Sequence, residues 1–166
     1  MSTNTYVPIM TQTLGSAAAS VTFSSIPQGY TDLVFVIQAG SATAEDIGMR
    51  FNSDSATNYS TTILAGGGSS ASSGRTTNVT GITIDSNAYN TVNLNKNAIV
   101  HIQNYSNTTT YKTVLSRSSN ASTGVDAIVG LWRSTAAINS IYLYGFNSGY
   151  QFLSGSTFTL YGIASA

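Results

Sequence analysis

Charged side chains are scarce in this chain, which has six basic and six acidic residues among its 166 and no formal net charge. Globular domains usually carry about a quarter charged residues, so the 7% found here is a marked departure. Serine, threonine and asparagine fill more than a third of the positions instead. Hydroxyls and amides then supply the solubility, and a surface without net charge favours association over mutual repulsion.

Cysteine is absent, and His101 is the single histidine. Without cysteine, disulfide scaffolds and thiolate zinc sites are excluded. The sequence contains no nucleophile-elbow, zinc-protease, phosphate-loop or dinucleotide signature. Hydrolysis of glycans would need a placed pair of carboxylates, and the six carboxylates are scattered along the chain. We therefore expect that the chain is not an enzyme and uses no cofactor.

Long apolar runs are also missing. The longest, residues 33–37, is far short of the roughly 20 residues that span a bilayer. The first residues lack the basic and apolar regions of a signal peptide, and the basic residues are too dispersed for a nucleic-acid surface. The sequence predicts a soluble protein with neither a membrane nor a nucleic acid as partner.

Residues that favour strands are plentiful, and they alternate with polar residues in short segments. The segments predicted as strands are residues 21–23, 32–38, 47–51, 82–84, 98–103, 111–117, 127–133, 138–144 and 157–163. In residues 32–38 the apolar residues are consecutive and so fall on both faces of the strand. This pattern predicts a central strand covered on both sides. With roughly nine to eleven strands and no amphipathic helix, the chain is predicted to be all-β, an antiparallel sandwich or barrel.

We expect one sandwich domain over residues 14–166, preceded by an N-terminal arm of residues 1–13. Residues 66–74, GGGSSASSG, are the low-complexity segment of the chain. The burial of these small side chains is too slight to offset the conformational entropy lost on ordering, which predicts a mobile loop.

The titratable residues have ordinary interpretations. His101 lies between apolar residues with no acid or nucleophile beside it in the sequence, so we interpret it as structural. Glu45, Asp46 and Asp54 flank one predicted strand and offer oxygen ligands for calcium. They lack the spacing of known calcium loops, so solvated loop carboxylates are the favoured interpretation.

Aromatic residues are the best material for recognition, with ten tyrosines and one tryptophan. Tyr142 and Tyr144 share one face of a predicted strand, and Tyr161 lies in the last one. Aromatic side chains on a sheet stack on sugars or fill subunit interfaces, and core or interface packing is the commoner case. Trp132 is predicted to be a core anchor.

Three segments resemble small structural proteins of tailed bacteriophages. They are residues 20–34 (SVTFSSIPQGYTDLV), the pair MRFNSD and NYS within residues 49–60, and residues 158–163 (FTLYGI). Members of this loosely defined group are tail-fibre-like, minor structural or capsid-decorating proteins. The resemblance implies a virion protein without catalytic residues, a jelly-roll-like sandwich and a symmetric oligomer.

Our leading hypothesis is a capsid-decoration (cement) protein on the capsid surface, a homotrimer that stabilises the head by bridging subunits of the major capsid protein. The sequence shows no fibrous shaft or adaptor domain, which favours the capsid over the tail. The expected subunit interface comprises Tyr142, Tyr144 and Tyr161, with Tyr6, Ile9 and Met10 as an arm on a neighbouring subunit.

The alternative is a receptor-binding module of a head or tail fibre that recognises host surface glycans. Its predicted contacts are Tyr89 and Tyr150, with residues 66–74 as an adaptable loop. A glycan-cleaving enzyme is the third and least supported hypothesis.

Overall fold

The computed structural model describes residues 5–86, 93–120 and 123–164. Within them the protein consists of strands and connecting loops, without a helix. The strands are β1 (Tyr6–Thr13), β2 (Ser20–Phe23), β3 (Asp32–Ser41), β4 (Ile47–Phe51), β5 (Tyr59–Gly67), β6 (Ser70–Val79), β7 (Ile82–Asp85), β8 (Asn93–Ile102), β9 (Lys112–Asn120), β10 (Gly124–Trp132), β11 (Ile141–Gly145) and β12 (Thr157–Ile163). No helix in this described part has the length and hydropathy of a membrane span.

The strands form two antiparallel sheets packed face to face. The large sheet has the order β1-β12-β3-β8-β9-β10-β5-β6, and the small sheet has the order β2-β11-β4-β7. Strands β1 to β4 alternate between the sheets, β7 returns beside β4, and β8, β11 and β12 alternate again. This is the strand order of a jelly roll, so the predicted all-β, jelly-roll-like sandwich is confirmed.

Two hairpins are inserted into the jelly roll. Strands β5 and β6 lie in the connection from β4 to β7, and β9 and β10 lie in the connection from β8 to β11. All four extend the large sheet beyond β8, where β7 of the small sheet packs beneath β9, β10 and β5. The twelve strands of the described residues thereby exceed the predicted nine to eleven.

The core fills the space between the sheets. Alternate residues of the central strands face inward, as in β9, where Val114, Ser116 and Ser118 are buried and Thr113, Leu115 and Arg117 are exposed. Trp132 is buried against Phe51 and Tyr59, with ring centroids 5.4 and 6.2 Å away. The prediction that Trp132 is a core anchor is confirmed.

The prediction of a loop at residues 66–74 is wrong. All of them except 68 and 69 belong to the ends of β5 and β6, which form a hairpin in which Gly67 pairs with Ser70. Gly68 has φ 57° at the first turn position, as a two-residue type II′ turn requires. Backbone pairing with β10 through β5 supplies the order that the side chains alone do not.

Residues 6–13, expected to belong to a separate arm, form β1 at the edge of the large sheet. Thr11 lies opposite Thr159 and Thr13 opposite Thr157, and each pair of hydroxyls is 3.2 Å apart. The structure therefore places this segment inside the sandwich domain. Backbone hydrogen bonds to β12 explain the difference, since they offset the cost of ordering a polar strand.

Candidate functional site

The predicted interface residues fall into two groups on different sheets. Tyr6, Ile9 and Met10 lie on β1 at the edge of the large sheet, and Tyr161 lies on the neighbouring strand β12. The Tyr6 and Tyr161 rings meet edge to face, 6.4 Å apart, and Tyr6 is 55% exposed. Met10 is also exposed, whereas Ile9 packs against the core. We call these four residues the edge cluster.

Tyr142 and Tyr144 lie on the outer face of the small sheet, away from the edge cluster. Tyr144 is only 8% exposed, so the prediction that it forms a subunit interface is wrong. The guanidinium of Arg50 lies 4.3 Å from the centre of its ring and covers it. Tyr142, stacked on Tyr144 at 5.3 Å, remains half-exposed.

Two glycines let Tyr144 lie flat against the sheet. A Cβ on Gly48 would lie 2.7 Å from the Tyr144 ring, and a Cβ on Gly81 would collide with its hydroxyl. Phe146 continues the row, 5.2 Å from Tyr144. We call Tyr142, Tyr144 and Phe146 the aromatic row. Its tyrosines are visible as alternation in the sequence, but the parts of Gly48, Gly81 and Arg50 depend on pairing between distant strands.

A groove runs beside Tyr142. It has a volume of about 260 Å³ and is lined by Thr22, Arg50, Ser53, Ser140 and Tyr142. Tyr142 lies opposite Thr22 of β2 on one side and opposite Arg50 of β4 on the other. An aromatic ring, three hydroxyls and one guanidinium therefore converge on one depression.

The predicted glycan contacts do not form a site. Tyr89 lies outside the described residues. Tyr150 is 2% exposed and packs edge to face on Phe152, with ring centroids 4.9 Å apart. Gly145 makes this burial possible, because a Cβ there would collide with the Tyr150 ring. The prediction that Tyr150 contacts a glycan is therefore wrong.

The outer face of the large sheet is aliphatic. Val129 of β10 lies opposite Leu115 of β9, and Leu64 of β5 lies opposite Ala127. Leu64 is 59% exposed. We call this surface the aliphatic face, formed by Val36, Leu64, Ile99, Leu115, Val125 and Val129. Arg117 lies near its centre, opposite Ile99 and Ala127.

The prediction that the strand at residues 32–38 is covered on both faces is wrong. Strand β3 is central, but Val36 on its outer side is 38% exposed. The sequence pattern is that of a strand buried on both sides, whereas on the outer side Val34 is buried and Val36 and Gln38 are exposed. That discrepancy is the sequence signal that points to the aliphatic face.

His101 has an acid partner that the sequence does not reveal. Its Nε2 lies 2.9 Å from Oδ2 of Asp32 on the neighbouring strand β3. The other oxygen of Asp32 accepts a 2.7 Å hydrogen bond from the backbone N–H of Asn104. The pair therefore fixes the start of the β8–β9 turn, which agrees with a structural role for His101.

The carboxylates considered as calcium ligands do not form one group. Asp54 accepts hydrogen bonds from Trp132 Nε1 at 2.7 Å, from Asn58 Nδ2 at 3.0 Å and from the Ala56 N–H at 2.9 Å. Burial opposes ionisation of Asp54, but these bonds and the charge of Arg50 outweigh it and lower its pKa. Among the described residues no three potential ligands lie close enough to hold a metal ion, Glu45 and Asp46 included.

A buried polar cluster that the sequence did not indicate lies at the opposite end of the core. Lys96 Nζ donates a 3.0 Å hydrogen bond to Ser41 Oγ and lies 3.9 Å from Asp85 Oδ2. Asp126 accepts hydrogen bonds from the Ser86 N–H and from Ser118. Burial raises the pKa of Asp85 to about 6 although Lys96 opposes the rise, and burial also raises the pKa of Asp126. These residues come from different strands, so no sequence pattern joins them.

Comparison with known proteins assigns the chain to no group. Neither the models of protein families nor the curated proteins include a match to it.

Proposed function

We propose that this chain is a structural protein of a tailed-phage virion, and more narrowly a capsid-decoration protein that docks on the shell. The observation that carries the proposal is the aliphatic face. Strands β3 and β10 carry apolar residues on their outer side as well as in the core, and Val36, Val125 and Val129 on that outer side are exposed, although Val34 is buried. Exposed contiguous apolar surface of this kind marks a protein–protein contact.

The size of the large sheet fits such a contact. Eight strands about 4.8 Å apart, paired over about seven residues of about 3.4 Å each, give an outer face of about 900 Å². A standard stable interface buries about 800 Å² on each partner. The whole sheet face, of which the aliphatic face occupies five strands, is therefore large enough to dock one copy.

The chemistry of the aliphatic face favours a permanent contact. Arg117 is the charged residue near its centre, and Asp32 at its margin is already paired with His101. Burial of aliphatic side chains is not screened by salt, unlike contacts between surface charges. A shell protein that must hold through changes of ionic strength uses that kind of surface. The phage-like segments of the sequence support a virion partner, and we propose that this partner is the capsid.

Imaging of virions of the phage that encodes the chain tests the location. We expect density for this protein at many regular positions on the head. Density restricted to the tail, above a bare capsid, would overturn the decoration role.

Binding to heads stripped of this protein tests the surface. Leu115→Asp and Val129→Asp place a charge on the aliphatic face, where each side chain is exposed, and both are expected to abolish cosedimentation with heads. Thr76→Asp, an equally exposed change on β6, is the matched control and is expected to bind. Full binding by the two aliphatic-face variants would rule out this surface.

The trimer rests on the edge cluster. Tyr6 and Met10 present exposed apolar surface on an edge strand, where Tyr6 contacts Tyr161 and Met10 lies opposite Leu160. We propose that these residues meet a second subunit, and Tyr6→Ser with Met10→Ser is expected to dissociate the oligomer. Light scattering measures the outcome, and an unchanged mass rejects the edge cluster as the subunit contact.

Recognition of host glycans is the second candidate function. The groove beside Tyr142 favours it, because an exposed aromatic ring flanked by hydroxyls suits a sugar. Copy number separates the two functions, since a decoration protein is present in very many copies and a fibre module in few.

A further inference from the structure

Side chains that line the groove beside Tyr142 are packed or hydrogen-bonded to neighbouring residues. Tyr142 stacks on Tyr144 with their planes 21° apart, and Tyr144 in turn packs on Phe146. Gly48 and Gly81 leave no free space under Tyr144. The Tyr142 ring is thereby held by the row behind it, and little rotamer entropy is lost when a ligand packs on it.

Arg50 is held in place as well. Its Nε donates a 2.6 Å hydrogen bond to the Thr80 carbonyl, and its Nη2 donates a 3.0 Å hydrogen bond to the Thr80 hydroxyl. A planar guanidinium fixed at two nitrogens recognises a carboxylate with less entropy loss than a free side chain does. The anchoring on Thr80 therefore favours a site for an anion beside an aromatic ring.

The groove contains the groups that a sugar ring needs. Tyr142 offers an aromatic face for the C–H side of a pyranose, and Thr22, Ser53 and Ser140 offer hydroxyls. Arg50 is the charged residue among the five that line it. Asp54, next to Ser53 in the chain, already uses its carboxylate for Trp132 and Asn58.

We propose that this groove binds an acidic saccharide, with a sugar ring stacked on Tyr142 and the sugar carboxylate beside Arg50. The ligand class follows from the combination of ring, hydroxyls and one anchored cation. The groove lies on the small sheet, whereas the proposed docking surface lies on the large sheet. A docked copy therefore leaves the groove open to the outside.

Titration of the isotope-labelled protein with an oligogalacturonate, followed by NMR, tests the proposal. We expect saturable shifts at Thr22, Ser140 and Tyr142 and at the Arg50 side chain. A neutral glucose oligosaccharide of the same length is expected to bind at least about tenfold more weakly, a loss of about 1.4 kcal/mol. Equal affinity for the neutral oligosaccharide, or no saturable shift with the acidic one, would overturn the proposal.

Variants at Thr22 test the electrostatic part without disturbing the aromatic row. Thr22 is exposed on β2 directly opposite Tyr142. Thr22→Glu and Thr22→Gln both remove the hydroxyl and have the same shape, but only Thr22→Glu puts a negative charge into the groove, and it is expected to bind about tenfold more weakly than Thr22→Gln. Equal loss in the two variants would contradict recognition of an anion.

Tyr142→Ala tests the stacking. We expect loss of detectable binding, while Tyr111→Ala, which removes an exposed tyrosine elsewhere, retains it. An unchanged melting temperature shows that Tyr142→Ala is folded. If it is not folded, the saccharide affinity of Thr22→Glu tests the site instead. Head binding by the same variants is expected to be unchanged, so failure of the saccharide site and failure of shell docking are distinguishable. Full binding by folded Tyr142→Ala would overturn the site.

Discussion

The carboxylates near the two ends of strand β10 have pKa values that are shifted in opposite directions. At the last residue, Trp132 donates to Asp54, whose pKa is lowered. Near the first, Asp126 and the neighbouring Asp85 have raised pKa values, and each has a buried oxygen without a hydrogen-bond donor. Six residues of the strand, about 20 Å, separate the two ends.

The contrast shows that depth and donors together decide the state of a carboxylate, since Asp54 is only half-buried whereas Asp85 and Asp126 are buried. Asp54 receives three hydrogen bonds, which outweigh its desolvation. Asp85 has a cation nearby, but Lys96 gives its hydrogen bond to Ser41 and stays 3.9 Å from the carboxylate. An ion pair without a hydrogen bond does not recover the cost of burying both charges.

The two ends therefore respond to acid in opposite directions. Asp54, with a lowered pKa, contributes stability that is present above its unfolded value of about 3.8 and is lost as the pH falls through its folded pKa. Asp85, with a pKa raised to about 6, contributes stability that is complete below about pH 4 and is lost as the pH rises through 6. Mild acid therefore increases the stability contributed by Asp85 near Lys96, and strong acid decreases the stability contributed by Asp54 near Trp132.

The largest effect is expected from Trp132→Ala. The ring is buried against Phe51 and Tyr59, and its removal leaves a cavity at the well-bonded end. We expect a loss of about 3–5 kcal/mol in the free energy of unfolding, measured by urea denaturation. Trp132→Phe keeps most of the packing and is the control. A loss below about 1 kcal/mol for the alanine variant would show that this end is not tightly packed.

Asp54→Ala is expected to cost about 2 kcal/mol, because it leaves the indole N–H of Trp132 buried without an acceptor. Combined with Trp132→Phe, which removes that donor, the cost is expected to fall by about 1 kcal/mol. The double-mutant cycle in urea measures this coupling. Strictly additive losses would mean that the Asp54–Trp132 hydrogen bond contributes nothing.

The sequence predicts the jelly-roll strands because their signal is local. Alternation marks β2 to β4 and β7 to β12 wherever one face is buried, and the structure confirms each of these segments. Strands β1, β5 and β6 escape prediction, because Pro8 interrupts the first and glycine and serine fill the hairpin. Pairing with β12 and β10, distant in the chain, makes them strands.

The candidate sites were less predictable than the fold. Tyr142 was singled out because alternating aromatics are visible in one segment, but it was predicted as a subunit contact and not as part of a glycan groove. The groove also needs Arg50 and Thr22, which reach it only through the register of β4 and β2 with β11. Tyr150 shows the converse, since an aromatic residue in a polar loop sequence is buried through its contact with Gly145. Tertiary register, which local pattern does not encode, decides both cases.

The pH dependence of the free energy of unfolding tests whether the carboxylates at the two ends differ in pKa. We expect the free energy of unfolding to rise by about 1 kcal/mol as the pH falls from 8 to 5, because the folded protein binds a proton at Asp85 that the unfolded chain does not. Urea denaturation across this range measures the slope. Asp85→Asn is expected to reduce the rise, and Asp54→Asn, at the other end, to leave it intact. An unchanged slope in Asp85→Asn would assign the effect to another group.

The smallest effect is expected from replacing the ion pair as a whole. Lys96→Met with Asp85→Asn removes both buried charges together, so neither remains uncompensated. Because the pair is long and lacks a hydrogen bond, we expect the double variant to unfold within about 1 kcal/mol of the wild type at pH 7. Lys96→Met alone is the control, and it is expected to be less stable than the double variant, since Asp85 then has no cation nearby. A double variant less stable than Lys96→Met alone would show that the ion pair stabilises the fold. The two ends of β10 would then be more alike than their hydrogen bonds indicate.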